Sequence, residues 1–211
     1  MSMKFYDCAT APSPRRVRMY IAEKGLDIPV VEVDLANREQ HSDAFQKINP
    51  SRTVPVLQLD DGRTLITSAG IQCYLEGLHP EPPLFGRDGY ERALIVDLDW
   101  KIENEGFLAV GEAFRNRAKS FANNALTGKH EYSQIPALVE RGSNRTIEFF
   151  NWLDQQLQDK EVVAGDVFTV ADITAFITVD FAKWVKLQPD PELKNLRRWL
   201  ESVANRPSAK V

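Results

Sequence analysis

The sequence predicts an α/β part with a mixed sheet over about its first 80 residues and an all-helical part after it. Three observations carry that expectation. Strand and helix signals alternate up to His79 and then give way to helical periodicity alone. Thr53-Val54-Pro55-Val56-Leu57-Gln58-Leu59 places a proline at the entrance of an apolar strand, where a residue without an N–H belongs. Phe168-Thr169-Val170-Ala171-Asp172-Ile173 reads as the start of a buried helix.

Taken in order, residues 4–6 make a first short strand. Ser13-Pro14 then offers an N-cap with proline at the first helical position. Val17, Tyr20 and Ile21 supply an apolar stripe, and Gly25 a stop. Residues 30–33 form a second strand. A short helix over 43–48 ends at Asn49-Pro50. Strands 56–59 and 64–66 meet across Asp61-Gly62, a strong hairpin signal. Ser68 is a candidate N-cap for a third helix carrying Ile71, Tyr74, Leu75 and Leu78. The order β-α-β-α-β-β-α is that of a thioredoxin-like domain.

His79-Pro80-Glu81-Pro82-Pro83 suits neither helix nor strand. The expected organisation is therefore a thioredoxin-like domain over residues 1–80, a linker over 81–86 and an all-α domain over 87–211. In the latter, Leu94, Ile95, Leu98 and Ile102 fall at helical spacing, continuing toward Phe114, and Ile147, Phe150 and Leu157 lie on another long helix. Thr169 and Asp172 form the two ends of a capping box, with Phe168 placed to staple onto Ile173. Phe176, Ile177, Val179 and Phe181 make the following helix apolar nearly all round, as a buried spine should be.

The segment around Val54-Pro55 also points to binding. A cis bond there would turn the N–H and C=O of Val54 away from the sheet, where an extended peptide can pair with them. Ser68 stands at a helix N-terminus, whose free N–H groups suit a carboxylate. An ordinary capped hairpin-to-helix unit accounts for the same residues about equally well.

Composition narrows the class. With 211 residues, 43% of them hydrophobic, the chain can bury a sizeable core. No apolar run reaches the ~20 residues of a membrane span, and the first residues lack a signal-peptide stretch. A net charge of −4 argues against general nucleic-acid affinity. Two cysteines, Cys8 and Cys73, offer neither metal-ligand spacing nor a disulfide framework. The expectation is a soluble cytoplasmic protein without a metal, with Cys73 packed inside its helix and Cys8 a bystander rather than a redox nucleophile.

Val54-Pro55 and Ser68 in the first part, a proline-rich linker, and Gly165-Asp166-Val167-Phe168-Thr169-Val170-Ala171-Asp172-Ile173 in the second resemble the cytosolic glutathione transferases over essentially the whole chain. The resemblance implies a homodimer that takes glutathione as co-substrate in the N-terminal domain and a small hydrophobic electrophile against the helical domain. By that resemblance the backbone of Val54, ahead of Pro55, pairs with the cysteinyl part of glutathione. Ser68 and its N–H hold the γ-glutamyl carboxylate, and His41 lies near the glycyl carboxylate. Phe107, Phe114 and Arg115 are the implied electrophile contacts. The bland alternatives are an exposed surface histidine and core phenylalanines.

Two positions depart from the family. Where it usually has Glu or Gln before the serine, this chain has Thr67, so the acid for the γ-glutamyl ammonium is sought in Asp97, Asp99 or Glu103 across a dimer interface. Where many members have a catalytic Ser or Cys, this chain has Ala11. A slip in the short alignment would make Thr10 or Ser13 the hydroxyl. Ala11-Pro12-Ser13-Pro14-Arg15-Arg16-Val17-Arg18 also resembles a bacterial or fungal subclass with Gly or Ala at this place. There the helix N-terminus and nearby cations would stabilise the thiolate, with water or Arg115, Asn116 or Tyr132 taking the proton. The leading expectation is transfer of alkyl or aryl groups to glutathione. The alternatives are a glutathione-dependent reductase, lyase or isomerase on the same fold, and a non-catalytic glutathione-binding or interaction protein.

Overall fold

The structure, a computed structural model, describes residues 3–211. Cα packing divides them into two compact units, one running to Pro82 with Thr127–His130 and Val211, the other comprising Pro83–Leu126 and Glu131–Lys210.

The first unit runs β1 (Lys4–Asp7), α1 (Pro12–Glu23), β2 (Val30–Glu32), α2 (Asp43–Ile48), β3 (Val56–Gln58), β4 (Thr64–Leu65) and α3 (Ser68–Leu78). The strands form one mixed sheet, as the sequence predicts, in the order β2-β1-β3-β4. β1 runs parallel to β2 with Phe5 opposite Val30, and antiparallel to β3 with Phe5 opposite Leu57. A parallel neighbour needs a crossover, supplied by α1, whereas β3 and β4 need only the Asp61-Gly62 turn. Tyr6, Val33, Phe45 and Val56 form a core cluster, and the side chain of Val54 packs against it.

α1 and α3 pack on each other and share a buried polar cluster. The Tyr20 hydroxyl donates to Glu76 Oε2 at 2.5 Å, and Lys24 Nζ lies 2.5 Å from the same oxygen. Burial, then the bond to Glu76, pushes the Tyr20 phenol far above its ordinary range. Lys24 also donates to the carbonyls of His79 (2.8 Å) and Pro82, so one buried cation ties off the C-terminus of α3. Its charge near the last carbonyls suits a helix end.

The second unit holds α4 (Gly89–Lys101), a π-turn (Ile102–Phe107), α5 (Leu108–Arg117), α6 (Ala137–Gln156), α7 (Val170–Ala182) and α8 (Lys194–Ala204). Every residue of α7 except Asp180 is buried, as expected of the spine. Asp172 accepts the Thr169 N–H at 3.0 Å and the Thr169 hydroxyl at 3.2 Å, the expected arm of the capping box. It also accepts from Val163 N and Trp199 Nε1, each at 2.9 Å, so one carboxylate gathers three segments. Burial raises its pKa, and these hydrogen bonds act in the opposite sense. Phe168 stacks under the Arg206 guanidinium, 4.0 Å from its ring.

Two local expectations are corrected. α1 begins at Pro12, not at a Ser13 cap; Ala11 is the cap residue and makes no side-chain bond. Both prolines fit the first turn, where an N–H has no helical partner to lose. Cys73 is exposed, because Ile71, Gln72, Leu75 and Glu76 make up the buried face of α3. Ile147 and Phe150 lie on α6 as expected, with Leu157 at its C-cap; Ile147 faces solvent, since α6 buries the stripe through Thr146, Phe149, Phe150 and Leu153.

Candidate functional site

Within the first unit, two helix N-termini are joined directly. Ser68 Oγ donates to the main-chain oxygen of Ser13 at 3.0 Å. Ser68 is not the cap of α3, a correction to the sequence reading. Thr67 is, its Oγ1 accepting from Gly70 N at 3.0 Å. A Cβ at residue 70 would lie 2.9 Å from that oxygen, so a larger residue there would push the Thr67 hydroxyl from its present position. Thr67 thus has a structural task where the family's usual acid is missing. With Gly70 capped, the N–H groups of Ser68 and Ala69 have no partner among the described residues. They are two orphan donors at the positive end of an eleven-residue helix, suited to a carboxylate.

The first turn of α1 is poorer in donors. Pro12 and Pro14 have no N–H, and Arg15 N bonds to Ala11 O at 3.2 Å. Ser13 N–H is left, unpartnered among the described residues. Neither does the Ser13 hydroxyl have a partner there. Thr10 Oγ1 lies 3.5 Å from Cys8 Sγ, and Cys8 is buried. The loop between β1 and α1 is held rigidly. Arg18 Nη1 bonds to Asp7 Oδ1 at 2.6 Å, Arg18 Nη2 to Ala9 O at 3.0 Å, and Ala9 N to Glu32 Oε1 at 2.9 Å.

The Val54-Pro55 bond is cis. The main-chain N–H and C=O of Val54 have no partner among the described residues, while its side chain is packed in the core. Asn49, fully buried, shapes the approach to it: its amide donates to Thr53 O at 2.8 Å and Thr53 Oγ1 at 3.1 Å, and its Oδ1 accepts Ser51 N–H.

His41 is half-buried beside Arg52, whose Nη1 lies 3.5 Å from His41 Nδ1. Arg52 Nη2 donates to Gln46 Oε1 at 2.8 Å, and Gln46 Nε2 to His41 O at 2.8 Å. Arg52 has φ +58, a left-handed backbone that costs a residue with a side chain on the order of 1 kcal/mol. Its Nε is buried without a partner. Burial, then Arg38 and Arg52, lowers the His41 pKa, so at neutral pH the imidazole is uncharged and the cation here is the arginine. Sequence reasoning missed Arg52 and Asn49. The available signal was their place in the loop leading to Val54-Pro55.

In the second unit, Phe114 sits in an aromatic group, 5.6 Å from Phe181, 5.2 Å from Trp184 and 5.3 Å from Phe121. Phe107 is 5.5 Å from Phe181 and buried, while Trp184 is 49% exposed and gives the group a surface edge. Arg115 is engaged with the chain that follows α5. Its guanidinium donates to the carbonyls of Asn124 (2.5 Å), Ala125 (3.2 Å) and Leu126 (3.0 Å) and lies 4.2 Å over Phe121. That arginine clamps the chain after α5. Asn116 is likewise engaged, its Oδ1 accepting Ile135 N–H, and Tyr132 is exposed. Among the described residues no three His, Cys, Asp or Glu side chains gather to hold a metal, and no helix is long and apolar enough to cross a membrane.

Comparison with known proteins bears on this arrangement. Residues 5–83 match the glutathione S-transferase N-terminal domain, and residues 102–207 the glutathione S-transferase C-terminal domain. The chain is 32% identical over 210 residues to glutathione S-transferase 2 of Saccharomyces cerevisiae, covering 99% of this chain and 88% of the yeast protein. A glutathione S-transferase domain-containing protein of Marinobacter aquaeolei has a crystal structure that superposes with a TM-score of 0.89 at 35% identity, over 97% of this chain and 98% of that one. A maleylacetoacetate isomerase of Pseudomonas aeruginosa is 40% identical over 93 residues, 43% of this chain and 44% of the isomerase. With both domain models matched in order and a relative aligned along nearly the whole length, the chain belongs to the glutathione S-transferase family.

Proposed function

We propose that the protein is a cytoplasmic glutathione transferase, homodimeric, that activates the glutathione thiol for attack on a small hydrophobic electrophile. Residues 1–80 are the glutathione-binding domain, 81–86 the linker and 87–211 the helical domain. The observation that carries this reading is the set of unpaired main-chain groups in the first unit: Val54 N–H and C=O, Ser68 N–H, Ala69 N–H and Ser13 N–H. Val54 pairs with the cysteinyl residue in strand fashion. The N–H groups of Ser68 and Ala69 hold the γ-glutamyl carboxylate. Arg52, with His41 as hydrogen-bond partner, holds the glycyl carboxylate.

The sulfur meets the first turn of α1 beside Ala11, whose methyl leaves room for it. Ser13 N–H and the positive end of the helix stabilise the thiolate, and its proton passes to water. The thiolate then attacks the electrophilic carbon, a C–S bond forms, and the leaving group departs with its electron pair. Thr10 and Ser13 hydroxyls are dispensable in this scheme. Phe107 and Phe114 belong to the electrophile-facing aromatic group, and Arg115 acts by holding the chain after α5. Of the acids proposed for the γ-glutamyl ammonium, Asp97 has an exposed side chain on α4 and is favoured as the group a partner subunit would offer.

Calorimetric titration with reduced glutathione, followed by conjugation of a chromogenic aryl halide, tests the reading. Binding with conjugation supports it. Binding without conjugation of any halide favours a glutathione-binding module instead. The isomerase likeness supports a second reading, in which glutathione adds to a substrate and leaves again. That reading predicts turnover with no net loss of free thiol.

A further inference from the structure

The helical segment from Gly89 to Arg117 does not keep one pitch. Residues Ile102–Phe107 form a π-turn, and Leu108 N–H bonds to Glu103 O, five residues back. Where such a ladder returns to four-residue spacing, one carbonyl is passed over. Next after Glu103 comes Asn104, and its carbonyl accepts from Arg145 Nη2 of α6 at 2.5 Å. The Asn104 side chain donates in turn to Trp100 O at 2.8 Å. Arg145 Nη1 also lies 3.5 Å from Glu112 Oε2 on α5, so one α6 side chain spans the turn and the helix beyond it.

One turn further along α6, the Phe149 ring covers Gly106. A Cβ at residue 106 would lie 2.9 Å from that ring, so any larger residue would have to displace the buried ring or the turn. On its other side the turn delivers Phe107 to Phe181. A π-turn inserts about one residue, which rotates the downstream helix by ~100° relative to an unbroken one. It therefore sets the face on which Phe114 meets Phe181 and Trp184. Without a donor from α6, the half-buried Asn104 carbonyl would be left short of a protein partner, which disfavours the turn. Closing to ordinary helical spacing would then compete, and the aromatic group would shift.

We infer that Arg145 is a positioning residue for the electrophile-facing aromatic group: by supplying the Asn104 carbonyl it maintains the π-turn, and with it the register of Phe107 and Phe114. The inference rests on the transferase reading for what that group does. Arg141 is the internal control, because it also pairs with Glu112 but makes no bond to the π-turn among the described residues.

The test compares Arg145→Ala, Arg145→Lys and Arg141→Ala by hydrogen exchange over residues 103–109 and by kcat/KM for a small and a bulky aryl halide. Arg145→Ala is expected to speed exchange in the turn and change the ratio of the two kcat/KM values by at least about tenfold, through the electrophile KM. The glutathione KM stays unchanged. Arg145→Lys, which keeps a donor, recovers part of the ratio and serves alone if the alanine variant does not fold. Faster exchange with an unaltered ratio overturns the inference, as does an equal change of ratio in Arg141→Ala. Absence of conjugation by the parent enzyme would instead defeat the transferase reading itself, whatever the exchange data show.

Discussion

Ser68 Oγ donates a 3.0 Å hydrogen bond to the main-chain oxygen of Ser13, tying the first turn of α3 to the first turn of α1 across 55 residues of chain. The hydroxyl proton is thereby spent inside the protein, and the turn offers a ligand carboxylate its main-chain donors alone. Ser68→Ala should cost about 1 kcal/mol of stability. It should raise the glutathione KM severalfold without abolishing turnover, because both N–H groups survive the substitution. Chemical denaturation and steady-state kinetics on the same variant check this; complete loss of glutathione binding in a folded variant would assign the hydroxyl a direct role.

Ser13→Ala and Thr10→Ala should each retain most of the conjugating activity. Ser13→Ala keeps the N–H that the sulfur is proposed to use, and Thr10 Oγ1 is directed toward Cys8 Sγ. Cys8→Ser should behave in the same way. A kcat reduced by a factor of about 100 in either hydroxyl variant, the range expected for removing a direct acid–base or oxyanion contact, would contradict this.

Arg52→Ala should raise the glutathione KM more than His41→Gln does, since the arginine carries the charge. The pH dependence comes from the lowered His41 pKa. A carboxylate arriving beside the imidazole favours its protonated form, so binding raises that pKa and takes up protons. Affinity should therefore rise as the pH falls from neutrality through the pKa of the complex, as long as the ligand carboxylate stays ionised. Calorimetry in two buffers of different ionisation enthalpy measures the uptake, which His41→Gln should remove.

Asp172→Ala should destabilise the second unit by roughly 3–5 kcal/mol. The substitution strands the Trp199 indole N–H and the main-chain N–H groups of Val163 and Thr169 in a buried setting. Thermal unfolding would show it. An unchanged midpoint would mean that water replaces the carboxylate at no cost.

Much of the fold was legible in the residues. Alternating signals and the Asp61-Gly62 turn led to the mixed sheet, and Thr169 with Asp172 marked the start of α7. The helix starts were legible only to within one or two residues. Thr67 and Ser68 are both good caps, and which one adopts extended backbone is settled by Ser68 reaching Ser13, a contact distant in sequence. Pro12 and Pro14 both suit a first turn, so composition did not separate a start at one from a start at the other. Arg52 escaped notice because its setting depends on a left-handed backbone that no side-chain pattern announces. The π-turn was equally silent, because six residues are too few for a change of pitch to register in apolar spacing. Arg115 looked like a ligand contact by type and place; only its three carbonyl partners reveal a clamp.

The most direct test of the account is the thiol pKa of bound glutathione, tracked by thiolate absorbance across pH in the parent protein and in Ser13→Ala. A thiol free in solution titrates near about 8.5. The account predicts a value at least about one unit below that in both proteins, since the helix N-terminus and the Ser13 N–H are common to both. A bound thiol that titrates like the free one, or a lowered pKa that returns to the free value in Ser13→Ala, would contradict main-chain stabilisation of the thiolate.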